Sequence, residues 1–465
     1  MKNNLYFHTV PNQKFYHLLI EAGKLHLKKK LKITKIYSEQ IKRSKLPSLS
    51  LFFFLLKNIL SFNIFFVHNF ISLKYKSCYV GRYAASETFR LNKVIDNKLI
   101  KSVFLLKNLI RLCMIVDNAY KVVKFSKAIY IDHVGYSSGI YIKIFSDYKK
   151  IVYFNGWPRG FSYINYKIRK NQKINDSNII IIRPSKKNIT KFKINKALQK
   201  IEGIIKKPKK NVHYLKYTKF DNLFKNDSKK IKNVDYVIYA HSFVDAQLFY
   251  GYDGFANLYE WLDFTIDFLL KRNKNILVKG HPNFYNKTYG NLSKQDLRLF
   301  EKIIKKYSNT NVIFINKPVK NDFLLKKIRK DTVIISHHGT AILESSFLGF
   351  KTICSKYCLW DYKFYVSNQW SNIDEYKILL EKKYQSLNFY KSKKLLCDLI
   401  YQIYFNKYAY YKAKSFQTII ERNAENINRK VLIKNYENVV KYINTKKVNK
   451  IISDLSLNIE EVKID

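Results

Sequence analysis

The sequence predicts an α/β fold in which parallel strands alternate with covering helices. Three observations predict it. Through the second half of the chain, short β-branched runs of about five residues alternate with segments of helical periodicity, the mark of βαβ units. The 465 residues, 47% of them hydrophobic, suffice for two or three domains and exclude wholesale disorder. Five of the ten histidines (His133, His241, His281, His337 and His338) follow a predicted strand or sit at its carboxyl end. Open α/β sheets form their ligand crevice there.

Taken in order, the first half offers strands at Cys78–Gly81, Ala128–Asp132, Ile151–Phe154 and Asn178–Ile182, and an apolar helix at Leu99–Val116. The stretch Leu49–Leu73 is long enough to span a bilayer, but Lys57, Asn58, Asn63, His68 and Asn69 interrupt it. Each charge at bilayer depth costs about 2.5–3.5 kcal/mol. A buried helix running into a buried strand is the first reading. A helix lying on the inner membrane surface is the second, since Lys42, Arg43 and Lys45 precede it and Lys74 and Lys76 follow. The lysine-rich stretch Lys206–Lys232 reads as a linker. Strands are expected at Asp235–Ala240, Asn275–Lys279, Asn311–Ile315, Thr332–Ser336 and Thr352–Cys354, with helices at Asn257–Leu270, Lys294–Tyr307, Asp322–Arg329 and Thr340–Leu348. This gives an N-terminal Rossmann-like domain over 1–225, a C-terminal one over 226–390 and a basic helical tail over 391–465.

Lys and Arg number 86 against 34 Asp and Glu, a formal net charge of +52. Lys, Asn, Ile, Phe and Tyr are abundant together while Gly, Pro and Trp are scarce. Base composition therefore explains much of the lysine, which is spread along the chain and argues for no specific nucleic acid. The charge still draws the protein toward phosphates, acidic glycans and anionic headgroups. Five scattered cysteines and no secretory signal fit a reducing cytosol or the inner face of its membrane. The pair Cys354 and Cys358, without a second pair, is a weak zinc signal. No P-loop, GxGxxG, HExxH or GxSxG is present, which counts against the common nucleotide triphosphatases, nicotinamide enzymes, zinc proteases and serine hydrolases.

The chemistry gathers at strand ends. In Ile334–Glu344 (IISHHGTAILE) a strand ends at Ser336, a turn carries His337, His338 and Gly339, and a helix opens at Thr340. The free amides of a helix start make an anion site, and Glu344, one turn on, is placed to accept from sugar or ribose hydroxyls. The plain alternative is that Thr340 caps the helix and Glu344 is merely exposed. In Val278–Asn283 (VKGHPN) a strand delivers Lys279, and Pro282 and Asn283 turn His281 toward the crevice. His241, Asp245 and Asp253 follow another strand, as do Asp132, His133 and Tyr136, with Arg159 in a Gly-Trp-Pro-Arg-Gly stretch beyond.

VKGHPN, followed by SHHGTAILESSFLG, resembles the carboxyl-terminal half of capsule polysaccharide biosynthesis proteins. That family includes Kdo transferases and is similar in plan to His-Pro-motif sialyltransferases. The resemblance implies a GT-B-like fold, two Rossmann-like domains facing a cleft. It implies a metal-independent glycosyltransferase moving a sugar from a nucleotide-sugar donor to a surface polysaccharide or glycolipid, by direct displacement with inversion where the donor is CMP-linked. No cofactor beyond the nucleotide sugar is implied. Lys279, His281, Pro282, Asn283, Ser336, His337, His338, Gly339, Thr340 and Glu344 would hold the donor, with His281 at its phosphate. Asp132, then Asp245, would supply the base, and His133, Tyr136, Arg159 and His241 would face the acceptor. A sugar-nucleotide epimerase, a glycerophosphate transferase and a non-catalytic basic glycan- or nucleic-acid-binding protein are the alternatives. Protonation of the histidines is expected to strengthen phosphate binding as pH falls from 8 to 6.

Overall fold

The computed structural model describes residues 4–9, 32–37, 48–90, 98–124, 128–131, 136–148, 151–155, 163–166, 189–208, 220, 231–244, 248, 251–285, 291–358, 361, 364–389 and 393–405. Two sheets organise them, and the α/β class is as the sequence predicts. The first has strands β1 (Asn4–Thr9), β2 (Lys32–Tyr37), β3 (Ala128–Ile131), β4 (Ile151–Asn155) and β5 (Tyr163–Tyr166) in the order β2-β1-β3-β4-β5. All pairings are parallel except β4 with β5. The second has β6 (Tyr236–Tyr239), β7 (Ile276–Lys279), β8 (Ile313–Ile315), β9 (Val333–Ser336), β10 (Thr352–Ser355) and β11 (Asn368–Trp370), all parallel, in the order β11-β10-β9-β6-β7-β8. The order reverses between β6 and β9, the topological switch point where doubly wound sheets bind ligands.

The central strands are buried on both faces, so they read as continuous apolar runs. Tyr236, Ile238, Val278, Val333 and Ile335 face one cluster; Val237, Tyr239, Leu277 and Ile334 face the other. Asn257 caps the helix Leu258–Leu270 by accepting from the Glu260 amide at 2.8 Å, as its side chain favours. That helix buries Trp261, Leu262, Ile266 and Leu269 against the sheet.

Four expectations change. Cys78–Gly81 is no strand: Tyr75 and Cys78 close a tight turn through paired backbone bonds of 3.0 and 3.1 Å, and a helix begins at Val80. Leu49–Leu73 is neither buried throughout nor part strand. It forms helices Leu49–Leu60 and Val67–Ile71, and much of the first stands exposed. The helix Lys191–Lys206, placed by the sequence in the N-terminal domain, packs Ala197, Ile201 and Ile205 with Ile342, Leu343 and Cys354 of the second unit. The helix Lys393–Phe405 joins the same cluster through Leu396, Leu399 and Ile400. A small apolar stripe on each needs a partner, and the two supply one another, so this part of the expected tail is core. The Asn178–Ile182 strand and most of the Lys206–Lys232 linker lie outside the described residues.

The helices of the first unit pack closely at Gly81. Its amide donates to the Leu73 carbonyl at 3.1 Å, and a Cβ there would lie 1.7 Å from the Phe70 carbonyl oxygen. Backbone cannot swing aside as a side chain does. Gly81→Ala is therefore expected to cost about 3 kcal/mol, read as a lower denaturant midpoint; an unchanged midpoint would contradict this packing.

Candidate functional site

Register brings the site together. Tyr239 pairs with Lys279 on one side and with Ser336 on the other, so the three strand ends lie level. The residues just beyond them, His241, His281, His337 and His338, emerge at one rim. His241 stacks on His338 with ring centroids 4.0 Å apart and lies 5.2 Å from His281. His241, expected to face the acceptor, thus lies beside His281 and His338, which were expected to hold the donor.

The hydrogen-bond network sets the ring tautomers. The Asn283 amide donates to His281 Nδ1 at 3.2 Å, which leaves the His281 proton on Nε2. His241 Nδ1 donates to the Ser242 carbonyl at 3.3 Å. His337 lies deeper, edge-on to Trp261 and Trp370, with its Nε2 2.9 Å from Asp253 Oδ2. His337 Nδ1 lies 2.8 Å from His338 Nδ1, so one of the two rings donates to the other. Burial works to raise the Asp253 pKa, but the His337 contact, the Ser355 hydroxyl and the Phe255 amide outweigh it and hold the carboxyl below its usual range. His337 thus lies in contact with both Asp253 and His338.

Lys279 is 3% exposed at the end of β7, its ammonium 5.3 Å from the centre of the Tyr239 ring. It makes no ion pair with any described residue. Burial lowers its pKa to about 8 against the pull of Glu344. Glu344 is 7% exposed and accepts from Asn321 Nδ2 at 2.8 Å. Its burial raises its pKa to about 7, which Asn321 and Lys279 only partly oppose. The plain alternative of an exposed Glu344 is thereby removed. For both groups, loss of water outweighs their mutual attraction.

Two expectations need correction. The helix after the His337–His338 turn is short, Ala341–Phe347, and the amides of Ile342, Leu343 and Glu344 already donate to the carbonyls of Gly339 and Thr340. Only the Thr340 and Ala341 amides remain, so the helix start is a minor contributor. Thr340 makes no capping bond with its side chain. Ser336 Oγ instead accepts the Gly339 amide at 3.2 Å, and a Cβ on Gly339 would lie 2.7 Å from that oxygen, so the glycine serves the turn. Secondly, burial, followed by the neighbouring cationic or imidazole groups, pushes His281 and His338 well below the usual histidine pKa. That shift works against the protonation on which the expected gain in phosphate affinity between pH 8 and 6 would depend.

Pro282 and Asn283 form the short turn that carries His281. Asp132, His133, Asp245 and Arg159 lie outside the described residues; Tyr136 opens the helix Tyr136–Asp147, its side chain outside them as well. Asn321, which the sequence reading missed, reaches Glu344 from a neighbouring short helix; an amide at a helix start is too common a signal to have marked it. Among the described residues no three His, Cys, Asp or Glu side chains are disposed to hold a metal ion.

No family model and no curated protein matches the chain. Among solved structures it is similar to the Methanocaldococcus jannaschii UDP-GlcNAc 2-epimerase in complex with UDP-GlcNAc and UDP, at 12% identity over 87% of this chain and 99% of that one, with a TM-score of 0.28. It is similar to Thermosulfurimonas dismutans KpsC, a beta Kdo 2,4 transferase, at 11% identity over 59% of this chain and 79% of that one, with a TM-score of 0.33. The Candida albicans trehalose-6-phosphate phosphatase N-terminal domain matches at 10% identity over 87% and 93%, with a TM-score of 0.28. At such scores the likeness assigns no role to any residue of this chain.

Proposed function

We propose that the chain is a GT-B-like glycosyltransferase that moves a sugar from a nucleotide-sugar donor to a surface polysaccharide or glycolipid without a resident metal. The observation that carries this reading is the buried Lys279 ammonium, without an ion-pair partner among the described residues, beside the His281 Nε2–H at the switch point. An isolated buried cation costs several kcal/mol. An anionic ligand would relieve that cost, and a nucleotide phosphate is the anion that such crevices accommodate.

In the transfer, the acceptor hydroxyl oxygen bonds to the anomeric carbon as the bond from that carbon to the phosphate oxygen breaks. The nucleotide departs with the electron pair. Lys279, His281 and the Thr340 and Ala341 amides would meet the charge that develops on its phosphate. Glu344 Oε1 would accept from ribose or sugar hydroxyls, with the His338 ring beside them. Asp132, and after it Asp245, is proposed as the carboxylate that takes the acceptor's proton.

A thermal-shift panel of CMP-, UDP-, GDP-, dTDP- and CDP-linked sugars tests the reading. One base family is expected to raise the melting temperature by a few degrees at about a hundred times its Kd. The shift should shrink as pH rises from 7 to 9, because Lys279 loses its charge near 8. No shift with any member would sink the proposal. Conversion of the free sugar nucleotide to its epimer without acceptor would replace transfer with epimerisation.

A further inference from the structure

The helix Leu49–Leu60 presents Leu49, Phe52, Phe53, Leu56, Ile59 and Leu60 to solvent along one side, and Phe62, Phe65 and Phe66 continue the patch. Phe52, Phe53 and Phe65 are 55%, 58% and 62% exposed. Most of the large apolar side chains that stand exposed among the described residues fall in this one segment. A contiguous patch of this kind marks an interaction surface.

The segment is firmly mounted. Leu51 is fully buried in the core of the first unit, with Phe54, Leu55 and Ile64 packed beside it. Ser48 caps the helix at the Leu51 amide and donates to Asp117 at 2.7 Å; Ser50 bonds Tyr75 at 2.8 Å, and Tyr75 in turn donates to Asp117. The apolar side chains are thus held outward by a fixed base.

Charge selects the occupant. Between Glu39 and Glu87 the chain contains no acidic residue, while Lys42, Arg43, Lys45, Lys57, Lys74, Lys76 and Arg82 lie in that interval. Twelve helical residues extend roughly 18 Å, short of the hydrocarbon core, and among the described residues no helix is long and apolar enough to cross a membrane. An apolar face with the exposed Lys57 on the same helix and the exposed Lys74 beyond it fits the interfacial plane of an anionic bilayer, where rings enter the acyl boundary and ammonium groups meet phosphates. We propose that residues 49–66 dock the protein peripherally on an anionic phospholipid surface.

The test is flotation of the full chain with vesicles of phosphatidylcholine alone or mixed with phosphatidylglycerol. Binding is expected only with the anionic vesicles. The Phe52→Ser/Phe53→Ser/Phe65→Ser variant should weaken it roughly tenfold or more, and part of the wild-type binding should survive 0.5 M salt, which screens charge but not apolar burial. No flotation of the wild-type chain overturns the proposal. So does binding that the triple variant leaves intact, which would assign it to lysines alone. So does a wild-type dimer that the variant converts to monomer, which would seat a second copy on the patch. Should the triple variant not fold, Leu60→Cys carries the question, because the five native cysteines are buried. A polarity-sensitive dye there should shift to the blue on anionic vesicles, and an unchanged spectrum counts against docking.

Discussion

His281→Ala is expected to abolish the nucleotide-induced rise in melting temperature and to lower transfer by roughly a hundred- to a thousandfold, the cost of removing one preorganised donor from a developing oxyanion. The ring's Nδ1 is committed to the Asn283 amide, so its Nε2–H is a donor of fixed direction beside Lys279. The empty protein should melt close to the wild type, because His281 lies at the partly exposed rim while its neighbours Val278 and Phe284 carry the packing. Calorimetry with and without the nucleotide identified in the panel separates the two effects. An undiminished shift in the variant would remove His281 from the phosphate site. A collapse of the empty protein would mean that its role is structural.

Glu344→Gln should do two opposite things. The folded carboxyl has its pKa raised to about 7 from 4.5, so the native state binds the extra proton between these values. The group's contribution to stability is therefore favourable below pH 4.5 and is lost as pH rises through 7. Above that pH the wild type carries a buried carboxylate at a cost on the order of 1–3 kcal/mol. The neutral amide keeps an oxygen for Asn321 and avoids that cost. The variant is expected to be more stable than wild type at pH 8 and equal to it near pH 5. Nucleotide binding should weaken at pH 8, because Glu344 is what pulls the Lys279 pKa upward. Denaturant midpoints at the two pH values, with nucleotide titrations beside them, check both parts. A variant destabilised equally at both pH values would show that the carboxylate is no burden to the fold.

Two buried groups of this cost are what a ligand site would require. Lys279 and Glu344 each lose more from burial than they recover from one another. A protein selected only for stability would replace them with apolar residues of similar volume.

Much of the second unit was legible because its strands announce themselves. Runs such as Tyr236–Tyr239 and Val333–Ser336 are buried on both faces and so are apolar throughout. The first unit was less legible: a turn at Tyr75–Cys78 imitated a strand start. Helix Lys191–Lys206 has an apolar stripe but no local signal naming the sheet it covers. Asp253 was visible as a candidate acid, yet its contact with His337 spans three α-helices and three strands, which no spacing rule could anticipate.

By itself the sequence determined the α/β class and set histidines, a lysine and a glutamate at strand ends, because burial periodicity and turn chemistry are local properties. Only the tertiary structure decided that β6 and β9 are neighbours at the switch point, that His337 turns inward to Asp253, and that Leu49–Leu60 leaves its phenylalanines in the solvent. Strand order, ring tautomer and the covering of a helix face depend on contacts between residues distant in the chain, and those exist only once the chain has folded.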